Sequence, residues 1–279
     1  MSKNKFLVLD HGFVQVDRVS DSDQDITRRA RISTIKTMKK FSSDEKLIRR
    51  LWYDRHTSPF GFPEIVLLIR APLWIYNQWM RHRTSWPLGD DLTVTYSSTD
   101  PTTHQFSDQQ MFSGRYSAYE KESMYLPEVD RLQIQSTTNN MGRGDEVLEE
   151  AAFIQDQMKV DQITLQAHYD EYLQAGLARE VARINTPLSQ YVEWYWKQNL
   201  LNTLHWLGLR RAGDAQYEIR VYADVIETIV KEHFPITFKV WDEWSQQVIF
   251  TPQEMKELQA LVQGRSMNPN MYNKIFKDE

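Results

Sequence analysis

Two arginines flank a histidine, Arg81-His82-Arg83, at the end of an apolar stretch that begins at Leu73. An arginine keeps its charge in a protein, and its burial is costly unless an anion or several acceptors meet its planar guanidinium. On a regular helix residues 81 and 83 would lie about 200° apart, so this segment could hold two anionic groups or two parts of one large ligand. A solvated helix end, where cations suit the negative pole, explains the same residues about equally well.

A second group of polar residues lies near the middle of the chain, on a segment from Gln190 to Arg211 that we predict to be one strongly apolar helix. At 100° per residue, four side chains fall within about 60° of a common direction on this helix. They are Asn199, Asn202, Trp206 and Arg210. Such a stripe meets either water or a ligand. Arg183, one proline-broken turn earlier, could converge on the same cavity.

Several other chemistries are excluded by the residues present. The chain has no cysteine, which rules out a thiolate nucleophile or a cysteine-ligated metal. Its histidines form no His-x-x-x-His or His-Glu-x-x-His pair, so no metal site is predicted. The glycine-rich dinucleotide fingerprint, the P-loop and the Gly-x-Ser-x-Gly elbow are also missing. If phosphates bind, arginine side chains must hold them, which indicates a nucleotide or flavin phosphate.

Length and charge restrict the class of protein further. A chain of 279 residues can bury a full core, and its net charge of −5 argues against nucleic-acid binding. No apolar run is long enough for a membrane span, and the N-terminus lacks the apolar core of a signal peptide. We therefore expect a soluble, cytoplasmic protein without a membrane or nucleic-acid partner.

The periodicity of the chain predicts the elements that must position these residues. Residues 5–16 are expected to form a short strand, a His11-Gly12 turn and a second strand at 13–16, and a further strand is expected at 64–70. Helices are expected at 26–30, at 43–54 after a Ser42-x-x-Glu45 capping box, after Pro72, within 144–176, at 177–184, at 214–233 and near 254–262. Residues 86–109 form a long loop, with a candidate strand at 92–96.

The motifs together resemble a known family. Arg81-His82-Arg83 after Gln78-Trp79, followed by Ser113-Gly114-Arg115-Tyr116, is similar to the signature of the flavin-dependent thymidylate synthases (ThyX). Further landmarks follow in family order: Leu9 to Val14, Ala30 to Ser33, His56 to Phe60, Ala182-Arg183, Asn199, Leu209-Arg210 and Ala215 to Arg220. The resemblance spans roughly Phe6 to Trp241.

This resemblance implies an α+β subunit with a ThyX-like fold, in which helices pack with an antiparallel sheet. It also implies a homotetramer with FAD and dUMP sites where subunits meet. The family moves a methylene from methylenetetrahydrofolate to C5 of dUMP, with hydride from reduced FAD and NADPH reducing the flavin. Residues 1–250 would form the catalytic domain, and residues 251–279 a C-terminal extension.

The family roles transfer to individual positions. The FAD contacts would be Ser33, His56, Ser58, Arg81, His82, Arg83, Asn199 and His205. The dUMP contacts would be Gln78, Arg81, Ser113, Gly114, Arg115, Arg183 and Arg210. Arg210 would be the catalytic residue, because a fixed cation against the uracil favours ionisation at N3 and activates C5.

The chain departs from the family pattern at three places. The family signature has a serine after seven intervening residues, a position that is Asp91 in this chain. The matching Ser113 lies 22 positions further along, so a loop at about 86–109 splits the signature. The family usually has a Glu where this chain has Met111, and an Arg where it has Leu201. The loop could be a lid over the site, which we favour, or an interface arm. Two alternative functions follow: transfer of a different one-carbon group, such as hydroxymethyl, and an inactive subunit that binds flavin or nucleotide.

Overall fold

A computed structural model describes residues 4–32, 43–82, 109–111, 123–137, 142–246 and 250–262. In these ranges the strands are β1 (Lys5–Val8), β2 (Gly12–Val19), β3 (Glu64–Pro72), β4 (Gln109–Met111), β5 (Gln133–Gln135), β6 (Arg143–Val147) and β7 (Tyr191–Asn199). The first three, with β7 and β4, form an antiparallel sheet in the order β1-β2-β3-β7-β4. The β5 and β6 strands form a separate antiparallel pair.

The described helices surround this sheet. They are α1 (Asp23–Ile32), α2 (Asp44–Tyr53), α3 (Leu73–Trp79), α4 (Ala151–Gln174), α5 (Arg179–Ala182), α6 (Leu200–Arg210), α7 (Tyr217–His233), α8 (Pro235–Ser245) and α9 (Pro252–Val262). The α+β class with helices packed on an antiparallel sheet is therefore confirmed. No helix within the described ranges combines the length and the apolar composition that a membrane crossing requires.

The β3 strand shows why the sheet forms at the centre of the molecule. Its residues Ile65, Leu67, Ile69 and Ala71 are completely buried and alternate with half-buried neighbours, which is the period of a strand with one face on the core. The strand predicted at 64–70 is confirmed. It pairs over its whole length with β7, from Glu64 opposite Asn199 to the other end of the strand.

The prediction of one helix from Gln190 to Arg211 was wrong in its first half. Residues 191–199 form the strand β7, and the helix α6 begins only at Leu200. Asn199 is the N-cap of α6, where its side-chain Oδ1 accepts from the backbone N–H of Asn202 at 2.9 Å. Trp206 is buried, so the predicted stripe faces the interior instead of water.

Two other boundaries differ from the sequence-based expectation. The helix after Pro72 ends at Trp79, with Met80 as its C-cap, so Arg81 and His82 lie in the turn that follows the helix. The N-cap of α2 is Ser43, whose hydroxyl accepts from the backbone N–H of Lys46, so the predicted cap at Ser42 was one residue early. Of the loop predicted at 86–109, residues 86–108 with the candidate strand at 92–96 lie outside the described residues, and Gln109 begins β4.

The remaining predicted elements agree in type with the structure. The two N-terminal strands, the helices at 26–30 and 177–184, the helix that ends at His233 and the C-terminal helix are all present as β1, β2, α1, α5, α7 and α9. Four elements were not predicted: β4, the pair of β5 and β6, and α8. The predicted helical content of 144–176 is confirmed by α4, whereas its first residues belong to β6.

An aromatic cluster joins the sheet to the helices at the core. Trp79 at the end of α3 stacks on Trp206 of α6 with ring centroids 4.4 Å apart, and Trp194 and Trp196 of β7 contact Trp79 edge-on. Each of these indoles is almost completely buried. Because such rings dominate the apolar area of a core, this cluster fixes the end of α3 against α6.

Gly12, at the start of β2, allows the close approach of α7 to the sheet. The hydroxyl of Tyr222 donates to the carbonyl oxygen of Arg70 at 2.8 Å. A Cβ at position 12 would lie 2.1 Å from that hydroxyl, 2.6 Å from the carbonyl oxygen of Val8 and 2.9 Å from that of Arg70. Two of these atoms are backbone atoms that cannot rotate away.

We therefore expect Gly12→Ala to lower the free energy of unfolding by about 1–3 kcal/mol, the usual cost of forcing extra volume into a packed core. Urea denaturation measures this change. Gly213→Ala is the matched control, since nothing lies within 4 Å of a Cβ there, and it should change stability by no more than about 0.5 kcal/mol. Equal stability of the two variants would contradict this packing argument.

Candidate active site

The turn after α3 carries the first predicted site residues. The backbone N–H of Arg81 donates to the carbonyl oxygen of Gln78, and that of His82 to the carbonyl oxygen of Trp79 at 3.0 Å. Because the buried ring of Trp79 anchors this turn, the positions of Arg81 and His82 are set by the core. Arg81 is exposed and His82 is half-buried. Arg83 lies outside the described residues.

The α6 helix brings Arg210 to the same place from a distant part of the chain. The Nε–H of Arg210 donates to Nε2 of His82 at 2.8 Å. A ring nitrogen that accepts is unprotonated, so the proton of the neutral imidazole lies on Nδ1. The ring of His82 also meets Trp206 edge-on, at 6.4 Å between centroids. The structure thus joins His82 and Arg210, both predicted from the sequence.

The electrostatics of this pair follow from burial. The pKa of His82 is lowered from 6.5 to about 4, mainly by desolvation and in smaller part by the charges of Arg210 and His205. Desolvation also lowers the pKa of Arg210, although a guanidinium remains charged at neutral pH. His82 is therefore neutral, and Arg210 carries the positive charge of the pair.

That charge has no acidic partner in the described part of the chain, where no Asp or Glu forms an ion pair with Arg210. Its neighbour Arg211 differs, since Arg211 pairs with Glu227 at 3.2 Å and with Asp242. A partly buried guanidinium without a carboxylate is the arrangement that an anionic ligand satisfies. We call Arg210, together with the neighbouring His82 and His205, the cationic cluster, after the charge of Arg210.

The other predicted flavin contacts lie around the N-terminal end of α6. Asn199 is nearly buried and caps this helix, and His205 is exposed one turn further along. His56 and Ser58 are exposed, and Ser58 opens a short turn, 58–61, that packs against α6. The amide Nδ2 of Asn202 is buried beside the cap without a partner. Ser33 lies outside the described residues.

The structure describes only some of the predicted nucleotide contacts. Gln78 is half-buried on the last turn of α3, four residues before His82. Arg183 is half-buried in a short helical turn, 183–185, that packs against α4. No hydrogen bond between described residues links Arg183 to the cationic cluster. Ser113, Gly114 and Arg115 lie outside the described residues.

Sequence reasoning missed a polar network behind Gln78. The Nε2 of Gln78 donates to Oε1 of Gln216 at 2.5 Å, and the Nε2 of Gln216 donates to Oε2 of Glu218 at 3.0 Å. Glu218 is only 3% exposed and forms an ion pair with Arg143 at 3.0 Å. Gln216 and Glu218 belong to a stretch with family resemblance, and that resemblance was the only signal for them.

A cavity of ≈ 430 Å³ lies on the far side of this network. Its walls include Trp74 of α3, Tyr125, Arg143, Met158 and Glu218. Sequence patterns do not indicate this cavity, because its walls come from six separated segments. The hydroxyl of Tyr125 donates to Glu218 at 3.3 Å, and burial raises the pKa of Tyr125 above its usual value.

A flavin dinucleotide fits the donors at the cationic cluster. Its phosphates are anionic and its ring has acceptor oxygens, and the cluster offers the guanidinium of Arg210, which has no carboxylate partner among the described residues. The neutral His82 adds a ring N–H at Nδ1. The described residues contain no cluster of His, Asp or Glu able to hold a metal ion.

Comparison with known proteins assigns the family. The family model described as thymidylate synthase complementing protein matches residues 15–236. The flavin-dependent thymidylate synthase of Ehrlichia ruminantium (strain Gardel) is 35% identical over 262 residues, which are 93% of this chain and 80% of the relative. That of Wolbachia pipientis wMel is 36% identical over 238 residues, 85% of this chain and 76% of the relative.

A solved structure agrees with the fold. The UMP/dUMP methylase PolB from Streptomyces cacaoi, bound with 5-Br UMP, superposes with a TM-score of 0.68 and 24% identity. The match covers 85% of this chain and 96% of that one. The chain therefore belongs to the thymidylate synthase complementing protein family, and the two relatives named above are flavin-dependent thymidylate synthases.

The low pKa of His82 gives a pH prediction. The folded pKa of about 4 lies below the ordinary 6.5, so the contribution of neutral His82 to stability is complete above pH 6.5 and is lost as pH falls through 4. NMR titration of the ring Cε1–H should give a midpoint near 4. Arg210→Ala should raise this midpoint without restoring 6.5, because burial is the largest cause.

Arg210→Lys, which keeps the charge, is the control and should leave the midpoint low. The resonance is identified by its loss in His82→Gln. A wild-type midpoint at the ordinary value would show that His82 is solvated and would remove the electrostatic basis of the cluster.

Proposed function

We propose that this chain is a flavin-dependent thymidylate synthase that converts dUMP to dTMP, with methylenetetrahydrofolate as the carbon donor and NADPH as the source of electrons. The family and the named relatives support this reaction. The single observation that carries it in the structure is the half-buried Arg210, which has a neutral histidine and no carboxylate beside it among the described residues. Bound FAD would supply the hydride chemistry that the side chains lack.

Arg210 is the residue that we assign to activation of the substrate. A guanidinium held against the uracil stabilises negative charge on the ring at N3 and its flanking oxygens, which makes C5 a better nucleophile. The site fixes this cation before the substrate arrives, because His82 accepts from its Nε–H and the ring of His82 is itself held edge-on against Trp206. Such preorganisation lowers the cost of orienting the charge during reaction.

The FAD contacts are proposed on both elements that form the cluster. Arg81 and His82 would contact it from the turn after α3, and Asn199 and His205 from α6. His56 and Ser58 would contact it from the neighbouring turn. Ser33 and Arg83, carried over from the family signature, complete this set.

The nucleotide contacts are proposed beside them. Gln78, Arg81, Arg183 and Arg210 would hold dUMP, and Ser113, Gly114 and Arg115 would contribute from the segment after the inserted loop. Two side chains that can hold phosphate, Arg81 and Arg183, belong to this set, which suits a monophosphate. The inserted loop at about 86–109 is proposed as a lid over this site, since long loops at sites are often functional.

Assembly into a homotetramer is supported by α4. Its side chains Phe153, Val160 and Ile163 recur at spacings that place them on one face, and they are 65%, 55% and 61% exposed. The opposite face is apolar as well, since Met158 and Leu165 line the cavity and Tyr169 is buried. A helix with apolar residues on both sides needs a second surface to cover the outer one.

The two alternative functions receive less support. Transfer of hydroxymethyl was suggested by the inserted loop and by Met111 in the place of a family Glu, but the named relatives are thymidylate synthases. An inactive subunit that binds flavin or nucleotide would keep the same cationic cluster, and it is disfavoured because the named relatives are synthases.

Incubation of the purified protein with dUMP, methylenetetrahydrofolate, FAD and NADPH should yield dTMP, identified by mass. Arg210→Ala should lower the rate at least about a hundredfold, the usual loss when a preorganised charge at the reacting group is removed. Arg18→Ala is the control, because Arg18 is an exposed arginine on β2 that pairs with Glu64. A nucleotide of a different mass would indicate the hydroxymethyl alternative, and wild-type turnover in Arg210→Ala would remove its assigned role.

Ile163→Glu should weaken the assembly, because the carboxylate would have to be desolvated in the subunit interface. Light scattering after size exclusion measures the mass of the particle. Leu7→Glu is the control, since Leu7 is 75% exposed but lies on β1. A tetramer that persists in Ile163→Glu at low protein concentration would mean that the outer face of α4 is not the interface.

A further inference from the structure

The hydrogen bonds behind Gln78 decide which end of its amide faces the site. Glu218 is buried and paired with Arg143, so its carboxylate accepts hydrogen bonds and donates none. The partner of Glu218 on Gln216 must therefore be the NH₂ group. This places the carbonyl oxygen of Gln216 toward Gln78. Because a carbonyl oxygen only accepts, Gln78 must donate to it from its own NH₂ group.

The observed contacts follow this order. Gln78 Nε2 donates to Gln216 Oε1 at 2.5 Å, and Gln216 Nε2 donates to Glu218 Oε2 at 3.0 Å. The carboxylate is held from its other side by Arg143 at 3.0 Å and by the hydroxyl of Tyr125 at 3.3 Å. Three residues thus donate to one buried anion, and the orientation of two successive amides follows from its charge.

In this arrangement the carbonyl oxygen of Gln78 accepts no hydrogen bond from the described residues. Gln78 lies on the same α3 turn that leads into the cationic cluster. The site therefore presents an acceptor at this position, with one remaining N–H of the amide beside it. A ligand that binds here gains most from a hydroxyl or N–H donor.

A 2′-deoxyuridine monophosphate has two such donors at neutral pH, the uracil N3–H and the 3′-hydroxyl. Every other polar atom of the nucleotide accepts. In the proposed reaction Arg210 faces the uracil edge that contains N3, so the 3′-hydroxyl is the donor that remains for Gln78.

We infer that Gln216 and Glu218 are positioning residues that hold the carbonyl oxygen of Gln78 toward the 3′-hydroxyl of the nucleotide, an inference that rests on the proposed function. They act on the ligand through Gln78 and make no contact with the reacting atoms. We call the hydrogen-bonded series of Gln78, Gln216 and Glu218 the relay. The relay makes Gln78 selective for a nucleotide with a free 3′-hydroxyl, because an analogue without this group leaves the half-buried carbonyl oxygen of Gln78 unpaired.

The test compares two ligands, dUMP and 2′,3′-dideoxyuridine monophosphate, by calorimetric titration of the flavin-loaded protein. The wild type should bind dUMP about tenfold more tightly than the dideoxy analogue, as expected for one lost hydrogen bond in a half-buried site. In Gln216→Met the amide of Gln78 is free to rotate, so dUMP should bind about tenfold more weakly than to the wild type. The ratio of the two dissociation constants, that of the dideoxy analogue divided by that of dUMP, should fall to about two or less. A wild-type ratio retained in Gln216→Met would overturn the inference.

The ratio separates positioning from a general loss of structure, since unfolded molecules lower the number of sites and not the ratio of two affinities. Gln246→Met is the matched control: Gln246 also donates its amide to a carboxylate, Asp242, at 3.1 Å, but lies at the end of α8. It should keep the wild-type ratio. Loss of the ratio in this control as well would also overturn the inference.

A second variant tests the donor and acceptor order directly. In Gln216→Glu a protonated carboxyl has an acceptor and a donor at the same two positions, and the facing Glu218 favours protonation. The wild-type ratio should therefore return at acid pH and disappear at alkaline pH, and a ratio that is independent of pH would contradict the relay. If wild-type protein fails to bind dUMP at all, the proposed function itself fails, whereas binding with an unaltered ratio in Gln216→Met refutes only the relay.

Discussion

A half-buried guanidinium hydrogen-bonded to a neutral imidazole is the interaction on which the site depends. Arg210 and His82 are 128 residues apart in the chain, and they meet because Trp79, at the end of α3, stacks on Trp206 of α6. The aromatic stack fixes the geometry, and burial sets the charges: the imidazole gives up its proton while the guanidinium cannot. The cation has no carboxylate among the described residues, so the free energy of the site favours an anionic ligand.

The sequence predicted this pair through a resemblance and not through periodicity. The helical stripe that first selected Arg210 assumed one helix from Gln190 to Arg211, and half of that helix is a strand. Val192, Trp194 and Trp196 alternate with Glu193, Tyr195 and Lys197, which is the period of a strand. The aromatic strand β7 continues directly into the helix α6. Because both segments are strongly apolar, the change from the strand period to the helix period at Asn199 was not recognised.

Local signals predicted local structure well. The strand β3 and the start of α2 could be predicted because their signals, a run of apolar residues and a serine cap, depend on residues close in sequence. By contrast, α8 begins with Pro235 at its first turn, and a proline there is equally typical of the residues just after a helix, here the helix that ends at His233. The short β4 pairs with β7 across about 80 residues, and no property of its three residues indicates that partner.

Long-range polar contacts were the least predictable part. Glu218 contacts Arg143 and Tyr125, which lie 75 and 93 residues earlier in the chain. Sequence spacing cannot show that these groups meet, although their types suit a buried anion with several donors. The same limit applies to the cavity, whose walls come together only in the folded chain.

The most direct test of the account is a crystal structure of the assembled protein with FAD and dUMP. The account predicts that Arg210 lies within hydrogen-bond distance of the uracil ring, that the flavin contacts His82, and that Arg183 belongs to the same pocket. If Arg210 instead faced solvent, with the nucleotide bound elsewhere, the central claim would be contradicted.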